Sequence, residues 1–96
     1  MERILVADDE PVMRELLQEL LESKGYEVTT VPGGREAIEE ATRGEYLLVF
    51  TDLSMPGVSG LDVEAALKAQ RPDLPVAIAT GFASLESAVQ ATRLGA

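Results

Sequence analysis

The chain has 96 residues, 46% of them apolar and 26% charged, a balance that fits one small folded domain rather than a disordered segment. Its formal charge of −9 argues against direct binding to nucleic acid or an anionic membrane. The absence of His and Cys excludes catalytic triads, disulfides and the common transition-metal sites. No apolar stretch approaches the roughly 18 residues of a membrane span, and the few residues ahead of the first apolar run are too short for a signal peptide, so a cytoplasmic location is expected.

Apolar runs and helical patterns alternate along the chain. Arg3-Ile4-Leu5-Val6-Ala7 reads as a buried strand and runs into Asp8-Asp9. Pro11 suits the first turn of a helix, and Val12, Leu16, Leu17, Leu20 and Leu21 repeat at helical spacing as one apolar stripe. Lys24-Gly25 is the stop. Tyr26 to Val31 alternates and is β-branched, which predicts a second strand, broken by Pro32-Gly33-Gly34. A short helix is expected from Glu36 to Arg43, and Leu47-Leu48-Val49-Phe50-Thr51 then forms a third strand ending at Asp52.

Ser54-Met55-Pro56-Gly57-Val58-Ser59-Gly60 is a loop by composition, and Ser59 with Asp62 resembles a capping box for a helix from Gly60 to Gln70. Val76-Ala77-Ile78-Ala79-Thr80 reads as a fourth buried strand. Ser84 is placed to cap a last helix bearing Leu85, Ala88, Val89 and Leu94, with Gly95 at its stop. Repeated β-α units of this length predict an α/β fold with a parallel sheet.

In such a sheet, ligands bind outside the carboxyl ends of the strands. Adjacent strands ending at Asp8-Asp9 and at Asp52 would gather three carboxylates, which repel one another unless a cation joins them, so a divalent metal is expected. Each motif taken alone has a plainer reading. Asp8-Asp9 before Pro11 could cap a helix, Glu10 could be a solvated first-turn residue, and Met55-Pro56-Gly57 could be only a turn.

The acidic pair, Asp52, the Met-Pro-Gly loop and Thr80-Gly81 occur in that order, each after a predicted strand. Together they resemble the receiver domain of bacterial two-component response regulators, over Arg3 to Ala96. The resemblance implies a flavodoxin-like, doubly wound sheet in the order 2-1-3-4-5. It implies that Asp52 accepts a phosphoryl group from the phosphohistidine of a sensor kinase or phosphotransfer protein. Asp8, Asp9, Asp52 and the backbone carbonyl of Ser54 would hold Mg²⁺ or Mn²⁺, while Thr80 and Gly81 would contact the phosphoryl group and report it. Ser54 and Phe82 match positions that tune phosphoryl lifetime, and the stretch from Thr80 to Val89 looks like receivers of enhancer-binding activators and hybrid kinases. An effector domain or downstream protein is the implied output partner. Such a domain takes part in its own phosphorylation and is not a conventional enzyme.

One family element is not found by Ala96: the fifth β-α unit, with its lysine that contacts phosphoryl oxygens. Lys24 and Lys68 fall on predicted helices and are poor substitutes. The domain therefore reads as truncated after its fourth helix. The expected consequences are weak Mg²⁺ binding, poor phosphorylation, reduced cover over the Leu16–Leu21 stripe, and self-association through an open fourth-strand edge. Two other classes compete. A phosphatase of the haloacid dehalogenase type needs an Asp-x-Asp pattern that Asp8-Asp9-Glu10 does not supply. A pseudo-receiver would keep the fold as a protein-binding module without the chemistry.

Overall fold

Ile4, Leu5, Val6 and Ala7 are all fully buried, as a strand covered on both faces requires. Residues 2–79 are described by a computed structural model. They form β1 (Arg3–Ala7), α1 (Pro11–Ser23), β2 (Glu27–Val31), α2 (Gly34–Arg43), β3 (Leu48–Asp52), α3 (Gly60–Gln70) and β4 (Val76–Ala79). The four strands are parallel in the order β2-β1-β3-β4, so the expected flavodoxin-like arrangement holds over the described residues. Thr80, Gly81, Phe82 and the helix expected after Ser84 lie outside the described residues.

Strand periodicity sorts the core into two layers. Ile4, Val6, Leu48 and Phe50 point to one face and pack with Leu17 and Leu21 of α1 and with Tyr26. Leu5, Ala7 and Val49 point to the other and pack with Ala37 and Ala41 of α2 and Val63 and Leu67 of α3. The alanines let α2 approach the sheet closely. Each fully buried Leu, Ile or Val contributes roughly 1.5–3 kcal/mol relative to leaving it exposed.

Element ends follow the local chemistry. Pro11 opens α1, and Gly25 follows its end at φ 95°, a conformation that disfavours side chains. Ser59 and Asp62 form a full capping box at the start of α3. Three boundaries differ from expectation. β2 begins at Glu27 and β3 at Leu48, one residue late in each case. α2 begins at Gly34 rather than Glu36, because Gly33 takes an extended N-cap conformation and the helix starts directly behind it.

The α1 stripe is also narrower than its spacing implied. Leu17 and Leu21 are buried and Met13 and Leu20 pack against the same cluster, but Val12 is 70% exposed and Leu16 44%. Met13, absent from the expected stripe, occupies the inward position of the first turn. The apolar arc in the sequence was wider than the strip of helix that meets β1 and β3.

Candidate functional site

The register sets the site. Ala7 pairs with Thr51 across β1 and β3, so the next residues, Asp8 just past β1 and Asp52 at the last position of β3, come side by side. Asp52 in turn pairs with Ala79 of β4. Asp8, Asp9 and Asp52 each offer a carboxylate oxygen, and these oxygens all lie within 4.8 Å of one another. Asp9 is exposed, Asp52 is half-buried, and Asp8 is only 6% exposed.

Asp8 does not cap α1 in the usual sense. The N-cap is Glu10, which makes no side-chain cap hydrogen bond. Instead the Asp8 Oδ1 atom accepts the backbone N–H of Glu10 at 2.9 Å and so closes the β1–α1 turn on itself. The Asp8 amide donates to the Val31 carbonyl at 3.2 Å, and Arg14 Nη1 donates to the Asp8 carbonyl at 2.7 Å. The carbonyl, amide and one carboxylate oxygen of Asp8 are therefore all held.

The cluster is electrostatically unfavourable without a cation. Burial pushes the Asp8 carboxyl above its ordinary value of 3.8, the Glu10 amide pulls it down, and the charges of Asp52, Asp9 and Glu10 push it up again. Ion pairs among the described residues join Arg43 to Glu40 and Arg71 to Glu45, where α2 and α3 end, beyond the amino ends of the strands. An all-oxygen, multiply negative donor set that is half open to water suits a hard divalent cation. The fit is one of chemistry: three carboxylates converge, and the most buried of them resists ionisation alone.

The β3–α3 loop borders this cluster. Leu53 and Ser54 are exposed, while Met55 turns down into the core with only 7% exposure. Val58 N–H donates to the Pro56 carbonyl at 3.1 Å, and the Gly60 amide donates back to the Leu53 carbonyl at 3.0 Å. Beneath the loop, Thr51 is fully buried and its hydroxyl donates to the Asp52 carbonyl at 3.1 Å. Lys68 is exposed on α3 and Lys24 directly follows α1, so neither stands at the strands' carboxyl ends.

Arg14 was not singled out by its sequence context, although a signal exists. A cation in the first turn of a helix opposes the macrodipole and needs a specific partner to justify it, here the Asp8 carbonyl. Thr80 and Gly81, expected beside Asp52, lie outside the described residues.

Known proteins fit this geometry. The family described as response regulator receiver domain matches residues 4–96. The transcriptional regulatory protein ZraR of Escherichia coli K12 is 38% identical over 93 residues, which make up 97% of this chain and 21% of that protein. The chain thus spans about a fifth of the length of this curated relative. Response regulator TrrA of Thermotoga maritima, in a crystal structure with Mg²⁺-BeF, superposes with a TM-score of 0.82 at 41% identity, covering 95% of this chain and 79% of that one. A chain from the crystal structure of the histidine kinase ThkA in complex with TrrA gives the same TM-score at 33% identity, covering 96% and 98%. Among the described residues no helix is long and apolar enough to cross a membrane. With a family match over residues 4–96 and relatives similar in both sequence and fold, the chain belongs to the response regulator receiver domain family.

Proposed function

We propose that this domain accepts a phosphoryl group on Asp52 from a phosphohistidine of a sensor kinase or phosphotransfer protein, in a reaction that depends on Mg²⁺ or Mn²⁺. The observation that carries this reading is the convergence of Asp8, Asp9 and Asp52 within 4.8 Å at the carboxyl ends of β1 and β3. One relative supports it twice: TrrA was crystallised with Mg²⁺-BeF and, in a second structure, in complex with the histidine kinase ThkA.

Asp52, which the resemblance matches to the phosphoacceptor, serves as the nucleophile; it ends β3 half-buried, beside the other two carboxylates. One of its oxygens bonds to phosphorus as the bond from phosphorus to the histidine nitrogen breaks. The departing imidazole keeps that electron pair and takes up a proton from water. An acyl phosphate remains on Asp52. A bound divalent cation supplies positive charge that neutralises the phosphoryl oxygens. Asp8, Asp9 and Asp52 would hold it, with the Ser54 carbonyl as a further oxygen donor. Arg14 and the Glu10 amide fix the turn that presents Asp8. Thr80 and Gly81 would contact the phosphoryl group and report it to an effector domain or downstream protein, which in the curated relatives extends to transcription regulation. On this reading the domain is cytoplasmic and takes part in its own phosphorylation rather than turning over a separate substrate.

Incubating the chain with acetyl phosphate and Mg²⁺, followed by intact mass measurement, tests the proposal. One phosphoryl group should add, chelation should prevent it, and Asp52→Asn should abolish it. Equal addition to the Asp52→Asn variant would overturn the assignment. A pure protein-binding module would add none under any condition.

A further inference from the structure

We propose that Gly34, on α2, is a positioning residue for the β3–α3 loop and thereby for the metal-binding oxygens of Asp52 and Ser54. This rests on the functional reading above, although no residue of α2 belongs to the carboxylate cluster.

Gly34 is buried at the first position of α2, and it is not among the glycines with positive φ. Backbone conformation therefore does not call for glycine there, and alanine forms helix better. What calls for it is space. A Cβ on residue 34 would sit 2.6 Å from the Val58 carbonyl oxygen, 2.7 Å from its Cγ1 and 2.8 Å from its Cβ. The first of these is backbone, so no side-chain rotation relieves the overlap. The start of α2 lies too close to the loop at Val58 to admit a side chain at residue 34.

Val58 lies in the loop that begins directly after Asp52. At the loop's other end, a Cβ on Gly60 would overlap the Asp52 carbonyl oxygen and crowd the Leu53 Cα at 3.1 Å, while the Gly60 amide holds the Leu53 carbonyl at 3.0 Å. Met55 anchors the span between them in the core. The segment carrying Ser54 is thus wedged between two glycine contacts, one at its base and one against α2. Gly60 is the obvious half, because it abuts Asp52. Gly34 is the remote half, 24 residues earlier in the chain than Val58. A shift of Val58 has only Pro56, Gly57 and Met55 through which to dissipate before it reaches Ser54.

The test compares the unaltered chain with Gly34→Ala, Val58→Ala and the double variant. Amide resonances of Leu53, Ser54, Met55, Gly57 and Val58 are recorded without metal, then Mg²⁺ alone is titrated. Gly34→Ala should move those resonances and weaken Mg²⁺ binding roughly tenfold, the scale at which outer supports of a metal site act. Val58→Ala removes atoms rather than adding them. It should fold in any case and give a smaller loss in the same direction, and the double variant should fall short of the sum of the two. A folded Gly34→Ala chain with unmoved loop resonances, or with unchanged Mg²⁺ affinity and only a lower thermal midpoint, overturns the proposal. So does an unchanged Val58→Ala affinity if Gly34→Ala fails to fold. Should the unaltered chain take up no Mg²⁺, the functional reading fails, while the metal-free resonances still decide whether α2 sets the loop.

Discussion

At the carboxyl end of the sheet three carboxylates crowd together, whereas at the amino end charged and polar groups from several elements neutralise one another. Arg3 Nη2, at the start of β1, donates to the Tyr46 hydroxyl at 3.2 Å and to Thr29 Oγ1 at 3.4 Å, and its guanidinium lies 4.6 Å above the Tyr46 ring. The Tyr46 hydroxyl donates to Glu40 at 2.8 Å, and Arg43 donates to the same carboxylate at 2.9 Å. Arg71, just past α3, caps the end of α2 by donating to the carbonyls of Ala41 and Gly44. The contrast teaches where this fold spends its stability. One end is built to hold β1, β2 and α2 together; the other keeps an electrostatic conflict that a ligand would resolve.

The largest break in this contrast comes from Tyr46→Ala. It removes a 9%-exposed ring from the core and leaves both Arg3 and Glu40 without that partner. Stability measured by denaturant should fall by about 3–5 kcal/mol, while Mg²⁺ affinity of the folded chain stays near that of the parent. A comparable loss of metal affinity would show that the two ends are not separable.

Asp8→Asn sharpens the contrast from the other side. Asn keeps an oxygen for the Glu10 amide but removes the buried charge. Metal-free stability near pH 7 should rise, by the roughly 0.5–2 kcal/mol that relieving charge crowding commonly returns, while Mg²⁺ affinity falls. The pH dependence fixes the cause. Because Asp8 holds its proton more tightly folded than unfolded, the metal-free parent carries no penalty below the ordinary value of 3.8 and loses stability as pH rises through the raised folded value. That loss should vanish in Asp8→Asn and be offset by Mg²⁺ in the parent. A parent whose metal-free stability rises over that window would count against the conflict at this end.

The smallest expected effect has the opposite sign. The Tyr46 hydroxyl, then Arg43, holds the Glu40 carboxyl below its ordinary value of 4.5. Its contribution is present above that value and is lost as pH falls through the lowered folded one. Glu40→Gln should flatten only this acid limb of the stability curve, and only slightly, because the group is near solvent. If Glu40→Gln and Asp8→Asn shift the curve in the same direction, the two ends are not electrostatic opposites.

Much of this was legible in local chemistry. Leu5 and Val6 had to lie in a strand covered on both faces, because neither is followed by a polar alternate. Pro11, Gly25 and the Ser59–Asp62 box marked helix ends, since each acts through backbone groups within a few residues. The convergence of Asp8, Asp9 and Asp52 was predictable because parallel strands of equal burial end on one side of the sheet. Less legible was which part of an apolar stripe meets the sheet: Val12 and Leu16 share helical spacing with Leu17 and Leu21 and yet face outward. Arg14 gave only a faint signal, and the Gly34–Val58 approach none, because a glycine that clears a distant backbone looks like a glycine in a turn.

By itself, then, the sequence determined the order of elements, the two-faced core and the three acids that share one edge. All of these depend on spacing, capping and burial periodicity. Tertiary structure alone decided how the acids are held: Arg14 on the Asp8 carbonyl, α2 against Val58, and Gly60 against Asp52. Those contacts depend on how closely two backbones approach after packing, a distance that no pattern of residue types encodes on its own.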